Sequence, residues 1–266
     1  MKSNSVYLVD NLEFLRELDS EYIDLIYIDP PFFSGVDYQE FSDRWDSLDD
    51  YLEFMNLRVI EMHRVLKTTG SFYLHCDPNA VFDLKPLCDL IFGKDNFRRE
   101  LIWNVSSVSG FKSQVKGWVR QHDTILYYTK SNNFTFNKQY KPYKKDYIKK
   151  MFRYTDEDGR IYRKRRGGKQ YLDDRPGNLL GDVWNDIYSF QTTTRSKEYL
   201  GYPTQKPEKL LERIILASSN EGDLVADFFC GTGTTLVVAK KLNRSWIGTD
   251  NNPNAVGLCK KRLNFK

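Results

Sequence analysis

Asp24-Leu25-Ile26-Tyr27-Ile28-Asp29-Pro30-Pro31-Phe32 reads as a short buried strand that stops on a carboxylate, two prolines and an aromatic ring. Proline cannot donate to a sheet ladder, so two in succession end the strand and stiffen the corner. In open α/β sheets ligands bind at the carboxyl ends of strands, which is where this corner stands. It presents a carboxylate, a backbone carbonyl and an aromatic face on a rigid support. That set suits a flat ring bearing an amine. Carboxylate and carbonyl accept from the amine, and the phenyl stacks on the ring. An ordinary proline-rich turn looks the same in isolation, so the flanking sequence has to decide.

On the amino-terminal side, Val6-Tyr7-Leu8-Val9 reads as a strand running into Asp10-Asn11. Either residue can cap a helix with Leu12, Leu15 and Leu18 on one face. On the other side, Phe33 to Trp45 lacks periodicity and reads as a loop over the corner. Leu52, Met55, Val59, Met62 and Leu66 have helical spacing, and Lys67-Thr68-Thr69-Gly70 is expected to end that helix. Ser71 to Cys76 is a strand. Ala80 to Phe92 is a helix closed by Gly93, and Glu100 to Val105 and Thr124 to Thr129 are strands. The pattern lapses and then returns near residue 203. Pro207 opens a helix with Leu210, Leu211, Ile214, Ile215 and Ala217 inward. Asp223 to Phe228 is a strand, Leu236 to Leu242 a helix, Ser245 to Thr249 a strand, and a last helix follows Pro253. Alternation of this kind predicts an α/β fold with a doubly wound, mostly parallel sheet. The expected division is 1–130, an insertion at 131–200, and 201–266 completing the first part.

The 266 residues are 29% charged and 40% apolar, an ordinary soluble balance. No run approaches the ~18 apolar residues that cross a bilayer. The start does not read as a signal peptide, so a cytoplasmic chain is expected. Cys76, Cys88, Cys230 and Cys259 are far apart, which argues against disulfides or a zinc site. His75-Cys76-Asp77 resembles a ligand cluster, but neighbours on a strand face opposite ways, so no metal is expected. Charge is unevenly placed. Lys138 to Lys169 holds thirteen Lys/Arg against four acids, +9 on a remainder near −5. A basic segment on a slightly acidic body points to a polyanionic partner.

Gly231-Thr232-Gly233-Thr234-Thr235 links a strand to a helix, and Asp250 ends the next strand. Strand, Gly-x-Gly turn, helix, strand and acid form a nucleoside-binding unit. The glycines let a ligand approach the backbone, and Asp250 can accept from ribose hydroxyls. A dinucleotide fingerprint needs a third glycine where Leu236 stands. Its absence favours S-adenosylmethionine (AdoMet) over NAD. No Gly-Lys-Ser/Thr follows, so a Walker loop is excluded.

Asp29-Pro30-Pro31-Phe32 together with Phe229-Cys230-Gly231-Thr232-Gly233 resembles the amino-group DNA methyltransferases. The order, catalytic element first and basic insertion between, resembles the permuted β group of adenine-N6 and cytosine-N4 enzymes. Gly201-Tyr202-Pro203-Thr204-Gln205-Lys206-Pro207 and His122-Asp123-Thr124-Ile125-Leu126-Tyr127-Tyr128-Thr129-Lys130 are further matches. The resemblance implies transfer of a methyl group from AdoMet to the N6 amine of an adenine flipped out of double-stranded DNA. It makes Asp29, Pro30, Pro31 and Phe32 catalytic. It places Thr204, Gln205 and Lys206 at the methionine end of the cofactor, Asp10, Asn11 and Asp250 at the adenosine end, and Asp227, Phe229, Cys230, Gly231, Thr232, Gly233 and Thr234 in the cofactor turn. The insertion becomes the target-recognition region, with Arg163, Lys164, Arg165, Arg166 and Lys169 as DNA contacts.

Two positions depart from the family pattern. Phe228 replaces a proline, which would loosen the cofactor turn, and Phe33 stands where a small polar residue is common. Cytosine-N4 methylation is the alternative, although that group more often has serine in place of Asp29. Methylation of a protein glutamine usually goes with Asn-Pro-Pro-Tyr, and a catalytically silent DNA-binding subunit is a further alternative. The resemblance leaves open a cognate restriction endonuclease and a homodimer.

Overall fold

The computed structural model describes residues 2–37, 42–105, 114–190 and 196–264. In chain order the elements are β1 (Ser5–Leu8), α1 (Asn11–Arg16), β2 (Ile23–Ile28), α2 (Leu48–Val65), β3 (Leu66–Cys76), α3 (Val81–Phe92), β4 (Phe97–Asn104) and β5 (His122–Thr129). Then come β6 (Tyr140–Pro142), α4 (Lys145–Met151), β7 (Tyr154–Thr155), β8 (Ile161–Arg165), β9 (Gly168–Tyr171) and β10 (Gly177–Leu179). The chain finishes with β11 (Val183–Trp184), α5 (Glu208–Ser218), β12 (Leu224–Asp227), α6 (Thr234–Lys241), β13 (Ser245–Asp250) and α7 (Pro253–Arg262).

One sheet runs β1-β13-β12-β2-β3-β5-β4-β11. Its pairs are parallel except β3 with β5 and β5 with β4. Both faces are covered. Along β2, Ile26 and Ile28 pack into a core with Phe14, Tyr51, Met55, Val59 and Met62 from α1 and α2. Leu25 and Tyr27 face a second core with Leu211, Ile214 and Ile215 of α5 and Leu236 of α6. Alternate residues point to opposite faces, so a strand buried on both sides is apolar throughout. β2 and β12 are neighbours although some 200 residues separate them.

Two elements differ from the sequence reading. Helix α2 begins at Leu48, where Ser47 accepts from the Asp50 N–H at 3.1 Å. It ends at Val65, and Leu66 to Gly70 belong to β3. Gly70 does not cap the helix, because buried Leu66 pairs with Ile23 and Lys67 binds Asp24 at 2.8 Å. These long-range contacts hold the segment extended.

The chain divides into two compact units, 2–137 with 182–264 among the described residues, and 138–181. The smaller unit is narrower than the expected 131–200. Residues 182–190 stay with the large sheet, because β11 pairs with β4, Trp103 donates to the Ile187 carbonyl at 3.0 Å and Arg213 binds Asp186 at 2.7 Å. The smaller unit holds an antiparallel β7-β8-β9 sheet and the β6–β10 pair. Within the loop expected at 33–45, residues 38–41 lie outside the described residues. No described helix is long and apolar enough to cross a membrane.

Candidate active site

Three acids stand at the carboxyl ends of three adjacent strands: Asp250 on β13, Asp227 on β12 and Asp29 just past β2. A cavity of about 420 Å³ opens over them and is lined by all four residues Asp29 to Phe32. Small-molecule sites fall between about 300 and 1,000 Å³.

The corner is held by a residue that sequence reading passed over. Asp43 is 2% exposed. Its carboxylate accepts from the backbone N–H groups of Phe32, Phe33 and Ser34 at 3.1, 3.0 and 3.0 Å, and from the Ser34 hydroxyl at 2.5 Å. The Tyr51 hydroxyl donates to the Pro31 carbonyl at 2.9 Å. Phe33 has φ +59°, a left-handed backbone that asparagine tolerates and phenylalanine rarely adopts. The family's small polar residue fits that geometry. Here Asp43 and the ring contact with Tyr51, 5.5 Å between centroids, hold the strained residue in place.

Asp29 uses its two oxygens differently. Oδ2 accepts from Lys206 Nζ, which also donates to the Thr204 carbonyl at 3.2 Å and lies 5.5 Å over the Phe32 ring. Oδ1 is buried and has no hydrogen-bond partner, the one side-chain polar atom so placed among the described residues. Buried polar atoms are nearly always paired, so an unpaired one on a residue that lines a cavity points to an absent donor. The expected cofactor contacts at 204–206 thus divide. Lys206 serves Asp29. Thr204 and Gln205 line the cavity, but the Gln205 amide accepts from the Leu200 N–H at 2.9 Å and donates to the Glu198 carbonyl at 2.8 Å, holding its own loop.

The glycine turn sits beside the corner. Gly231 (φ +50°) donates its N–H to Asp250 Oδ2 at 2.8 Å. Asp250 Oδ1 accepts from the Asn252 N–H at 2.9 Å. Asp227 accepts from the Phe229 N–H at 3.1 Å and the Thr235 hydroxyl at 2.5 Å. Burial pushes the Asp227 carboxyl up to about 7; those hydrogen bonds oppose the rise and the charges of Asp29 and Asp250 add to it. Burial also raises Asp250. Arg262 of α7 donates to the Thr232 carbonyl and the Thr234 hydroxyl at 3.1 and 3.0 Å. Buried Cys230 is pushed well up by the neighbouring Cys259 thiol and by burial, which leaves it unreactive. Leu236 stands where a dinucleotide fold needs glycine, and here the small residue lies on the strand. A Cβ on Gly248 would meet Leu236 Cδ1 at 2.5 Å.

Phe228 does not loosen this turn. Its ring is fully buried, 6.4 Å from Phe14, and its carbonyl accepts from Asn11 Nδ2 at 2.7 Å and the Thr249 hydroxyl at 3.1 Å. Asn11 in turn accepts from Arg58 Nε at 2.6 Å. Asp10 caps α1 through the Leu12 N–H at 2.8 Å and binds Arg58 at 2.7 Å. Arg58 was missed, although an arginine in line with Met55, Val59 and Met62 was visible. Asp10, Asn11, Phe54, Phe229 and Asp250 line a second cavity of about 200 Å³ that shares Pro31, Phe229, Asp250 and Asn251 with the first.

The smaller unit carries fourteen Lys/Arg and six Asp/Glu. Lys164, Arg165, Arg166 and Lys169 are exposed. Arg163 is not. It is 4% exposed and donates to Gln170 Oε1 at 3.0 and 2.8 Å and to the Tyr147 hydroxyl, with Phe152 5.1 Å below. It holds the unit together, and its buried guanidinium is not available for the DNA contact expected of it.

Residues 23–261 match the DNA methylase family, N6_N4_Mtase. The chain belongs to this family. This DNA methylase is 33% identical to type II methyltransferase M1.MboII of Moraxella bovis, over 99% of this chain and 98% of that one. It is 31% identical to DNA adenine methyltransferase YhdJ of Escherichia coli (strain K12), over 96% and 80%. Its fold is that of the M1.HpyAVI–SAM complex, with a TM-score of 0.62 at 20% identity, over 98% of each chain.

Proposed function

We propose that this methylase transfers a methyl group from AdoMet to the N6 amine of adenine in double-stranded DNA. The unpaired Asp29 Oδ1 carries the reading. It belongs to a residue that lines a cavity beside an aromatic ring and a stiff proline corner, and it is the acceptor an amine requires. The residues fit AdoMet. Gly231 leaves room for close approach, Asp250 and Asn251 border both cavities, and Asp10 and Asn11 border the smaller one. Bound AdoMet supplies a methyl group already activated on a sulfonium.

The chain's own work is positioning. An exocyclic amine is a weak nucleophile because its lone pair is delocalised into the ring. Asp29 Oδ1 and the Pro30 carbonyl accept its two hydrogens, which favours the pyramidal amine and aims the lone pair. Lys206 pairs with Asp29 and fixes its carboxylate in place. Orientation of this kind contributes up to ~7–11 kcal/mol in favourable systems. The base has to leave the stack, at a few kcal/mol, and Phe32 stacking offsets part of that. The exposed cations of the smaller unit bind phosphate and base edges. The reading extends to a cytoplasmic enzyme with a cognate restriction endonuclease as partner.

The test is to incubate labelled AdoMet with mixed-sequence duplex DNA and identify the base in the digest. N6-methyladenine is expected. N4-methylcytosine overturns the choice of base, and no label overturns the activity. Asp29→Ala should abolish labelling while AdoMet binding persists.

A further inference from the structure

His75 has no part in the roles assigned above, yet it stands directly behind the corner. It lies on β3 next to β2 and is fully buried. Its ring stacks on Phe32, 5.9 Å between centroids at 28°, and meets Trp103 of β4 edge-on at 5.6 Å. Nδ1 is 2.7 Å from the Tyr27 hydroxyl and 4.0 Å from Asp29 Oδ1, the unpaired oxygen. Nε2 is 3.2 Å from Asp123 Oδ2 on β5. Asp123 also pairs with Arg120, which reaches Asp77 at 3.2 Å. Burial pushes the Asp123 carboxyl up, but the hydrogen bond from His75 and the charges of Arg120 and Lys206 hold it down, which favours the carboxylate. A carboxylate only accepts. Asp123 therefore holds the ring hydrogen on Nε2, and Nδ1, the nitrogen on the side of Tyr27 and Asp29, carries the lone pair. The Tyr27 hydroxyl donates to it. Burial and the nearby acids hold that phenol protonated.

The next step rests on the amine-methylation reading. An amine that has gained a methyl group carries one proton too many. Asp29 Oδ1 is in place to accept it, and Lys206 occupies the other oxygen. We propose that His75, oriented by Asp123, takes the target amine's proton through Asp29. The N–H bond breaks with its electron pair left on nitrogen, giving the neutral methylamine. An O–H bond forms at Asp29 Oδ1 and then breaks as an N–H bond forms at His75 Nδ1. Asp29 returns to a carboxylate paired with Lys206, and the imidazolium pairs with Asp123 while the Tyr27 hydroxyl turns to accept. The 4.0 Å gap is of the kind that tightens when a substrate fills the site. The groups facing His75 are Tyr27 and Asp29 from β2 and the corner, Trp103 from β4 and Asp123 from β5. Arg120 and Lys206 face the two carboxylates. His75 is a positioning residue that acts through Asp29.

The experiment separates methyl transfer from removal of the proton. His75→Ala and His75→Asn are assayed with labelled AdoMet and mixed-sequence duplex DNA, first with enzyme in excess and then with DNA in excess. The single-turnover rate should stay within about threefold, while multiple turnover falls at least ~10-fold at pH 6.5 and recovers at alkaline pH. Imidazole added to His75→Ala should restore turnover. Pyrazole, the same shape but a far weaker base, should not. Asp123→Asn gives the same split if His75→Ala does not fold. Unchanged turnover, equal loss in both regimes, or equal rescue by pyrazole overturns the proposal alone. No label from the wild-type chain overturns the methylation reading and this proposal with it.

Discussion

Gly233→Ala tests how closely α7 packs under the cofactor turn. Gly233 has φ +76°, and a Cβ there would lie 2.2 Å from Cys259 Sγ and 3.1 Å from Cys259 Cβ. Two costs add. A left-handed backbone costs an L-residue about 1–2 kcal/mol, and the clash, relieved by shifting α7 or the turn, costs about 1–3 kcal/mol as overpacking. Gly233→Ala should therefore destabilise the fold by about 2–5 kcal/mol. Cys259→Ala separates the terms, because it removes the sulfur and leaves the backbone strain. In the double variant the overpacking should largely disappear, giving a coupling of about 1–3 kcal/mol of compensating sign. Urea unfolding of all four proteins measures this if the slopes agree. AdoMet titration should show weakened binding in Gly233→Ala and partial recovery in the double variant. A single variant within ~0.5 kcal/mol of wild type, or strictly additive costs, would refute the packing argument.

Three further outcomes follow from the same structure. Asp227, raised from 3.8 to about 7, favours its neutral form when folded, so its contribution is complete below pH 4 and is lost as pH rises through 7. The loss is on the order of 4 kcal/mol, and Asp227→Asn should flatten the difference in urea stability between pH 5 and 8; an unchanged difference contradicts the assignment. Asp43→Asn should destabilise by about 2–3 kcal/mol and cut methylation far more than AdoMet affinity, since it disturbs the corner and not the glycine turn; wild-type labelling would show that the corner holds itself. Arg163→Met should lower stability by about 1–3 kcal/mol through its stranded partners and speed proteolysis within 138–181. Arg165→Ala and Arg166→Ala should leave stability intact and each reduce the salt slope of DNA binding by about 1; the reverse pattern would restore Arg163 to the DNA face.

The central strands were legible because burial on both faces leaves them apolar, and the helices because their inward residues keep a 3.6 period. The misread end of α2 shows the limit. Lys67-Thr68-Thr69-Gly70 has the local chemistry of a helix stop, but the pairing of Leu66 with Ile23 and of Lys67 with Asp24 decides the conformation. Arg163 was taken with its charge run, whereas strand alternation turns it inward between half-buried Tyr162 and exposed Lys164, onto Gln170 of the paired strand. Asp43 gave no signal. Its three N–H donors lie nine to eleven residues back across an irregular loop, and no periodicity reports such a contact.

The three strand-end acids looked equivalent as sequence and are not. Asp250 places one oxygen on the Gly231 N–H and the other on the Asn252 N–H. Asp227 places its pair on the Phe229 N–H and the Thr235 hydroxyl. Each ties the glycine turn to its strands, and any ligand contact must use a remaining lone pair. Asp29 binds one oxygen to Lys206 and keeps the other bare. A buried bare carboxylate oxygen is costly in a folded chain, and Lys206 makes it tolerable by balancing the charge without covering the atom. The lysine from the 201–207 segment thus preserves, beside the proline corner, the acceptor that the proposed chemistry requires.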